Sequence, residues 1–238
     1  MKLLKISVLL IIISCSIISC TNAPNAMQDN TSGEYIVNNN ATKFDAIINT
    51  FSFNNFSTEN SKGYCFGICM AEKCIFEGNL KDYYDQDIYL HQDLYDYDIE
   101  DEYFDDNHKL DFSKVPDNTD EKEMLQCINY FQSNQMFLYS TPKLNLRNVI
   151  QKLRNNSLVI IILNYGNNSK HAVLAYGYKL SDDKNEVKIY IADPNKSNKC
   201  SKELSNSIDF KYEYLKWNYC HENNSDFKLY IADLNHDI

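Results

Sequence analysis

Positive charge is scarce in this chain. The 238 residues carry 23 Lys and Arg against 33 Asp and Glu, a formal charge of −10. That balance argues against nucleic acid and against an anionic membrane surface as electrostatic partners. No Cys-x-x-Cys occurs, and no paired Cys/His spacing of the zinc type. The most acidic stretch, residues 81–111, lacks the calcium-loop spacing around a central glycine. No metal or cofactor is therefore expected. The apolar run Ile6–Ile18 is too short for a comfortable membrane span. Internal repetition is limited to VKIYIADPN (187–195) and FKLYIADLN (227–235). Two units are too few for a solenoid and read as two similar strands of one sheet.

What is present begins with an address. Met1-Lys2-Leu3-Leu4-Lys5 followed by the apolar run reads as a secretory signal. Its end, Ile17-Ile18-Ser19-Cys20, resembles a bacterial lipobox. That resemblance implies cleavage after residue 19 and a lipid on Cys20. The product would be an exported, membrane-anchored lipoprotein on the cell surface or facing the periplasm. An ordinary signal peptide cut nearby is the plainer alternative. Loss of Lys2 and Lys5 takes the charge from −10 to −12, so the membrane is expected to be met through the lipid alone. Residues 20–42, polar and Asn-rich, read as a tether, and 43–238 as one domain.

Within the domain the periodicity changes along the chain. Residues 63–80 fit a helix with Phe66, Met70 and Cys74 on one face and Cys69 and Ile75 broadening it; Gly78 is its stop. Residues 81–111 hold twelve Asp or Glu interleaved with six Tyr. They read as an acidic insertion peripheral to the core, with His91 and His108 exposed. A helix is expected over 120–139, with Met124, Leu125, Ile128 and Phe131 inward, and another after Thr141-Pro142. Then SLVIIILNY, KHAVLAYGYKL and EVKIYIADPN read as strands, the last two joined by the turn SDDKN. SIDFKYEYLKW and DFKLYIADLN are further strand candidates. Helices first and strands later predict an α+β fold with an antiparallel sheet.

Three residues carry candidate chemistry. GYCFG places Cys65 where a turn becomes a helix, and a helix N-terminus favours thiolate, the nucleophilic form. The Cys65 N–H is then available to an oxyanion. His171 opens a strand and Asp193 ends the next one. If those strands form a hairpin, both lie at one edge, where Asp193 can fix the tautomer of the imidazole. Taken alone, Cys65 also suits a buried structural cysteine. Of the other cysteines, Cys200 and Cys220 flank one polar segment and are a plausible disulfide, which export would permit.

GYCFG, HAVLAYGY and VKIYIADPN together resemble the papain-like cysteine peptidase superfamily. The similarity is to bacterial branches that include the bacteriocin-leader peptidases and the Yersinia-type effector proteases. It rests on three short segments between residues 50 and 195. The resemblance implies a helical half carrying the cysteine against an antiparallel sheet carrying histidine and aspartate. It implies Cys65 as nucleophile, His171 as general base then acid, Asp193 as orienter, and a peptide or protein as substrate. The chain departs from the pattern before the cysteine. FNNFSTENSKGYC has no glutamine to complete an oxyanion hole, so the candidates are the amides of Asn55 and Asn60, with Asn55 preferred because it follows the apolar FSF. Two other readings stay open. A cell-wall amidohydrolase uses the same residue types, commonly with a gap shorter than the 106 residues between Cys65 and His171. A catalytically inactive surface interaction protein would keep the fold alone.

Overall fold

A computed structural model describes residues 33–39, 42–86, 88, 90–91, 93–196, 206–213, 216–220 and 228–234. The signal segment, Cys20 and Cys200 lie outside them, as does the Cys220 side chain, so the anchor and the proposed disulfide are not addressed. The first strands are β1 (Glu34–Ile36), β2 (Asn38–Asn39) and β3 (Thr42–Lys43). Helices α1 (Cys65–Glu77), α2 (Leu80–Tyr83), α3 (Asp120–Ser133) and α4 (Gln135–Leu138) follow. After β4 (Tyr139–Ser140) and α5 (Leu146–Arg154) come β5 (Val159–Gly166), β6 (Ser169–Leu180), β7 (Glu186–Ala192), β8 (Ser207–Glu213), β9 (Lys216–Cys220), β10 (Lys228–Ile231) and β11 (Asp233–Leu234).

The fold is α+β, with helices packed against a curled antiparallel sheet. The sheet runs β10-β5-β6-β7-β8-β9, and β1 adds to β6 beyond the end of β5. The β-branched run of β5 is buried from Val159 to Leu163 because both of its faces are covered. The SDDKN turn closes the β6–β7 hairpin as expected. Its Ser181 N–H donates to Glu186 O at 3.0 Å, and Lys184 takes the left-handed conformation (φ 58°). Ile36 packs against Gly177, where a Cβ would stand 2.6 Å from the Tyr35 carbonyl oxygen. Only glycine lets β1 approach so closely.

Helix α1 is the central element. It lies between α3 and the strands β5 and β6, and every residue from Phe66 to Phe76 is buried. Gly67 makes this possible on the α3 side, where a Cβ would meet the Ile128 carbonyl oxygen at 2.3 Å. Gly78 ends the helix at φ 72°, its N–H on the Ile75 carbonyl at 3.2 Å. Burial on all sides takes in Lys73, whose ammonium sits 2.5 Å from Glu77 and donates to Leu158 O at 2.9 Å. Glu77 in turn accepts the Leu158 N–H at 2.7 Å. This clamp fixes the end of α1 to the start of β5.

Several sequence expectations are corrected. The tether does not run to residue 42: Glu34–Ile36 pair with β6, and Val37 is fully buried. The acidic insertion is not peripheral. Tyr84, Leu90, Leu94, Tyr97, Ile99, Tyr103 and Leu110 are all buried, so these side chains point inward between the acids, while Tyr95 stays exposed. His91 and His108 are exposed, as expected. The helix expected over 120–139 stops at Ser133, and Asn134 starts a separate turn that gives way to strand at Tyr139. The next helix begins at Leu146 rather than after Pro142. Asn145 caps it by accepting the Arg147 N–H at 3.0 Å, while Leu144 is drawn onto Leu229 of β10. No helix among the described residues is long and apolar enough to cross a membrane.

Candidate active site

Register brings the histidine and the aspartate together. Leu174 of β6 pairs with Ala192 of β7, so the next position along β7, Asp193, falls opposite Val173. His171 is two residues from Val173, on the same face of the strand. The His171 Nε2 and the Asp193 Oδ1 stand 2.6 Å apart. Asp193 also accepts the Asn195 N–H at 2.9 Å, which fixes the carboxylate over its own Pro-Asn turn. The echoing Asp233 goes elsewhere, pairing with Lys152 at 2.8 Å.

Cys65 is the first residue of α1, and its N–H has no carbonyl partner within the helix. The first turn carries no acidic side chain to offset the positive end of the helix dipole. The Cys65 Sγ accepts the backbone N–H of Ala172 at 3.3 Å, which sets the sulfur beside the strand position of His171. With Nε2 committed to Asp193, Nδ1 is the nitrogen left for the sulfur. Burial pulls the His171 pKa down, but the bond to Asp193 first and the nearby Cys65 next outweigh it and raise it to about 9. Burial pushes the Asp193 carboxyl up, and the bond to His171 prevails and holds it below the ordinary carboxylate range. The imidazole is therefore charged at neutral pH. The other three described thiols, Cys69, Cys74 and Cys127, are buried and unpaired, and burial pushes each pKa up, Cys127 to about 12.

Asn55 and Asn60 separate clearly. The Asn55 Oδ1 accepts the Tyr64 N–H at 2.7 Å, and its Nδ2 donates to Asn195 Oδ1 at 3.0 Å. Its own N–H donates to the Pro194 carbonyl at 2.6 Å. Asn55 thus ties the start of the cysteine helix to the aspartate turn. A side chain on Gly63 would crowd that amide, its Cβ 3.3 Å from Nδ2. Asn60 is exposed and lines a groove of about 830 Å³ with Thr58, Asp105 and Asn129, among whose walls neither Cys65 nor His171 is found.

Sequence reasoning missed four contributors. The Ala172 N–H is a backbone donor and has no residue-type signal. Gln132 of α3 accepts the Gly67 N–H at 3.0 Å, satisfying one of the helix's free donors from another element. Tyr139 and Tyr165 feel the charges of the site. Burial pushes both hydroxyl pKa values up, joined at Tyr139 by Cys65 and at Tyr165 by Asp193 and then Cys65. The sheet edge next to a strand histidine was the available signal for Tyr165, on the strand that pairs with it. Among the described residues no group of three or more His, Cys, Asp or Glu is placed to hold a metal ion. The arrangement can hold a thiolate beside an imidazolium at the N-terminus of a helix. The chain matches no protein-family model and no curated protein.

Proposed function

We propose that this protein is an exported, lipid-anchored cysteine peptidase on a papain-like fold, hydrolysing peptide or amide bonds through Cys65, His171 and Asp193. The observation that carries the reading is the convergence of the three groups at a helix N-terminus: the Cys65 sulfur on the N–H of the residue after His171, and His171 Nε2 at 2.6 Å from Asp193. A buried structural cysteine needs no charged partner; a nucleophile does.

The chemistry follows from the positions. The Cys65 thiolate attacks the carbonyl carbon, forming the C–S bond and an oxyanion. The Cys65 N–H and the second N–H of the Asn55 amide are the donors for that oxygen. The His171 imidazolium gives its proton to the leaving amine as the C–N bond breaks. Water then attacks the thioester, His171 takes its proton, and the C–S bond breaks to release the acid and the free thiolate. Asp193 keeps the ring oriented and favours its charged form throughout. A peptide-library digest, with iodoacetamide labelling mapped in parallel, tests the reading. Cleavage lost in Cys65→Ala, with Cys65 the labelled residue at about pH 6, is the expected result. Labelling at any other cysteine overturns it.

A further inference from the structure

One carboxyl group in the core has no part in that chemistry. Glu72 follows Cys65 by seven residues and Cys69 by three, so the three lie on one face of α1. It is 3 % exposed. Its Oε1 accepts the Phe51 N–H at 3.1 Å, and its Oε2 is buried without a hydrogen-bond partner. Glu72 belongs to the wall of a cavity of about 20 Å³ shared with Phe53, Ile68, Asp193 and Pro194. A cavity of this size holds one water, and a polar wall retains it.

We propose that Glu72 is a positioning residue for Asp193: as a neutral acid it anchors the segment 51–55 through Oε1, and through one water in the shared cavity it braces the aspartate turn through Oε2. The inference rests on the triad reading above. Phe51 leads within four residues to Asn55, whose N–H and amide both bond the turn at Pro194 and Asn195. Glu72 thus reaches the turn by two routes, one along the chain and one across the cavity. An ionised carboxylate there, with an oxygen unpaired, is strongly disfavoured. Burial accordingly raises the Glu72 pKa, against the opposing pull of the Phe51 N–H, to about 8. The titratable groups around it are Cys69 on its own helix and Asp193 and Lys196 on the cavity's far wall. Cys69 stays a thiol there, its pKa raised by burial first and by Glu72 next.

The test compares the full chain with Glu72→Gln and Glu72→Leu. Gln keeps both polar atoms and cannot ionise; Leu removes them at similar size. The difference in thermal midpoint between wild type and Glu72→Gln should favour wild type at about pH 5 and reverse by about pH 9, because only the wild type must ionise a buried group. A difference independent of pH overturns the neutral acid. His171 followed by NMR should keep its titration in Glu72→Gln and fall by about one pH unit in Glu72→Leu, as its carboxylate partner loosens. An unchanged His171 in folded Glu72→Leu overturns the positioning role. If Glu72→Leu does not fold, amide exchange at Asn55 and Asn195 decides. Protection should fall as wild type passes about pH 8 and hold in Glu72→Gln, and equal protection in both overturns the proposal. These readouts are spectroscopic, so a failed triad reading shows separately, as the absence of Cys65 labelling in wild type.

Discussion

His171 stands between the Asp193 carboxylate and the Cys65 sulfur, and its protonation sets what the site can do. Iodoacetamide should label Cys65 at about pH 6, well below the range of a free thiol, and His171→Ala should slow that labelling by about 100-fold. Asp193→Ala should lower turnover more than labelling, since its task is to hold the ring. Asp233→Ala should alter neither, because its carboxylate serves Lys152 at a half-exposed pair. A rate profile gives the sign independently. Activity should decline as pH rises through about 9, where His171 loses the proton that the leaving amine needs. Stability follows the same direction. The folded pKa of His171 lies above its ordinary 6.5, so this contribution is complete below that value and lost as pH rises through about 9. Asp193 acts at the opposite end, its contribution present above 3.8 and lost as pH falls through its lower folded value. Asn55→Ala should cost about 100-fold in kcat by removing an oxyanion donor. It also releases the Tyr64 N–H, so labelling of Cys65 should fall with it; unchanged kcat would remove Asn55 from the site.

At the scale of elements, Gly67 offers the sharpest test. Alanine is the better helix former by about 1 kcal/mol. Here its methyl group would strike the Ile128 carbonyl, and overpacking of this kind costs about 1–3 kcal/mol. Gly67→Ala should therefore lower the thermal midpoint, and a rise would show that α3 shifts freely. This element also shows where sequence patterns stop. The start of α1 at Cys65 and its end at Gly78 were legible, because turn and cap glycines mark them. Its surroundings were not. An amphipathic face was expected, yet the helix is buried all round, with Lys73 and Glu77 neutralising each other and the Leu158 backbone. That His171 and Asp193 share one edge of a hairpin was legible from the five-residue turn; the bulge between Ala175 and Gly177, which shifts the register by one and puts both side chains on the same face, was not. The choice between Asp193 and Asp233 was not settled by their matching flanks. It follows from strand order, with β7 beside β6 and β10 beside β5. The acidic insertion misled because charge dominates its composition, while burial is decided by the tyrosines and leucines between the charges.

For the whole molecule, the N-terminal boundary matters more than composition suggests. Polar residues hide the fact that Tyr35, Ile36 and Val37 are part of the core or packed against it. Removing residues 1–42 should lower the thermal midpoint by several degrees relative to removing 1–32, since each buried aliphatic side chain contributes about 1.5–3 kcal/mol. Equal midpoints would show that β1 is dispensable. The position of the two halves of the site has a consequence for synthesis. The sulfur of Cys65 and the N–H of Ala172 that it accepts are 107 residues apart in the chain. A ribosome making about 5–20 residues per second delivers them several seconds apart. Until β5, β6 and β7 have closed behind α1, Cys65 is an ordinary thiol with no base beside it. If Cys65 is the nucleophile proposed, its reactivity is a product of completed folding, and a chain still emerging carries only a dormant thiol.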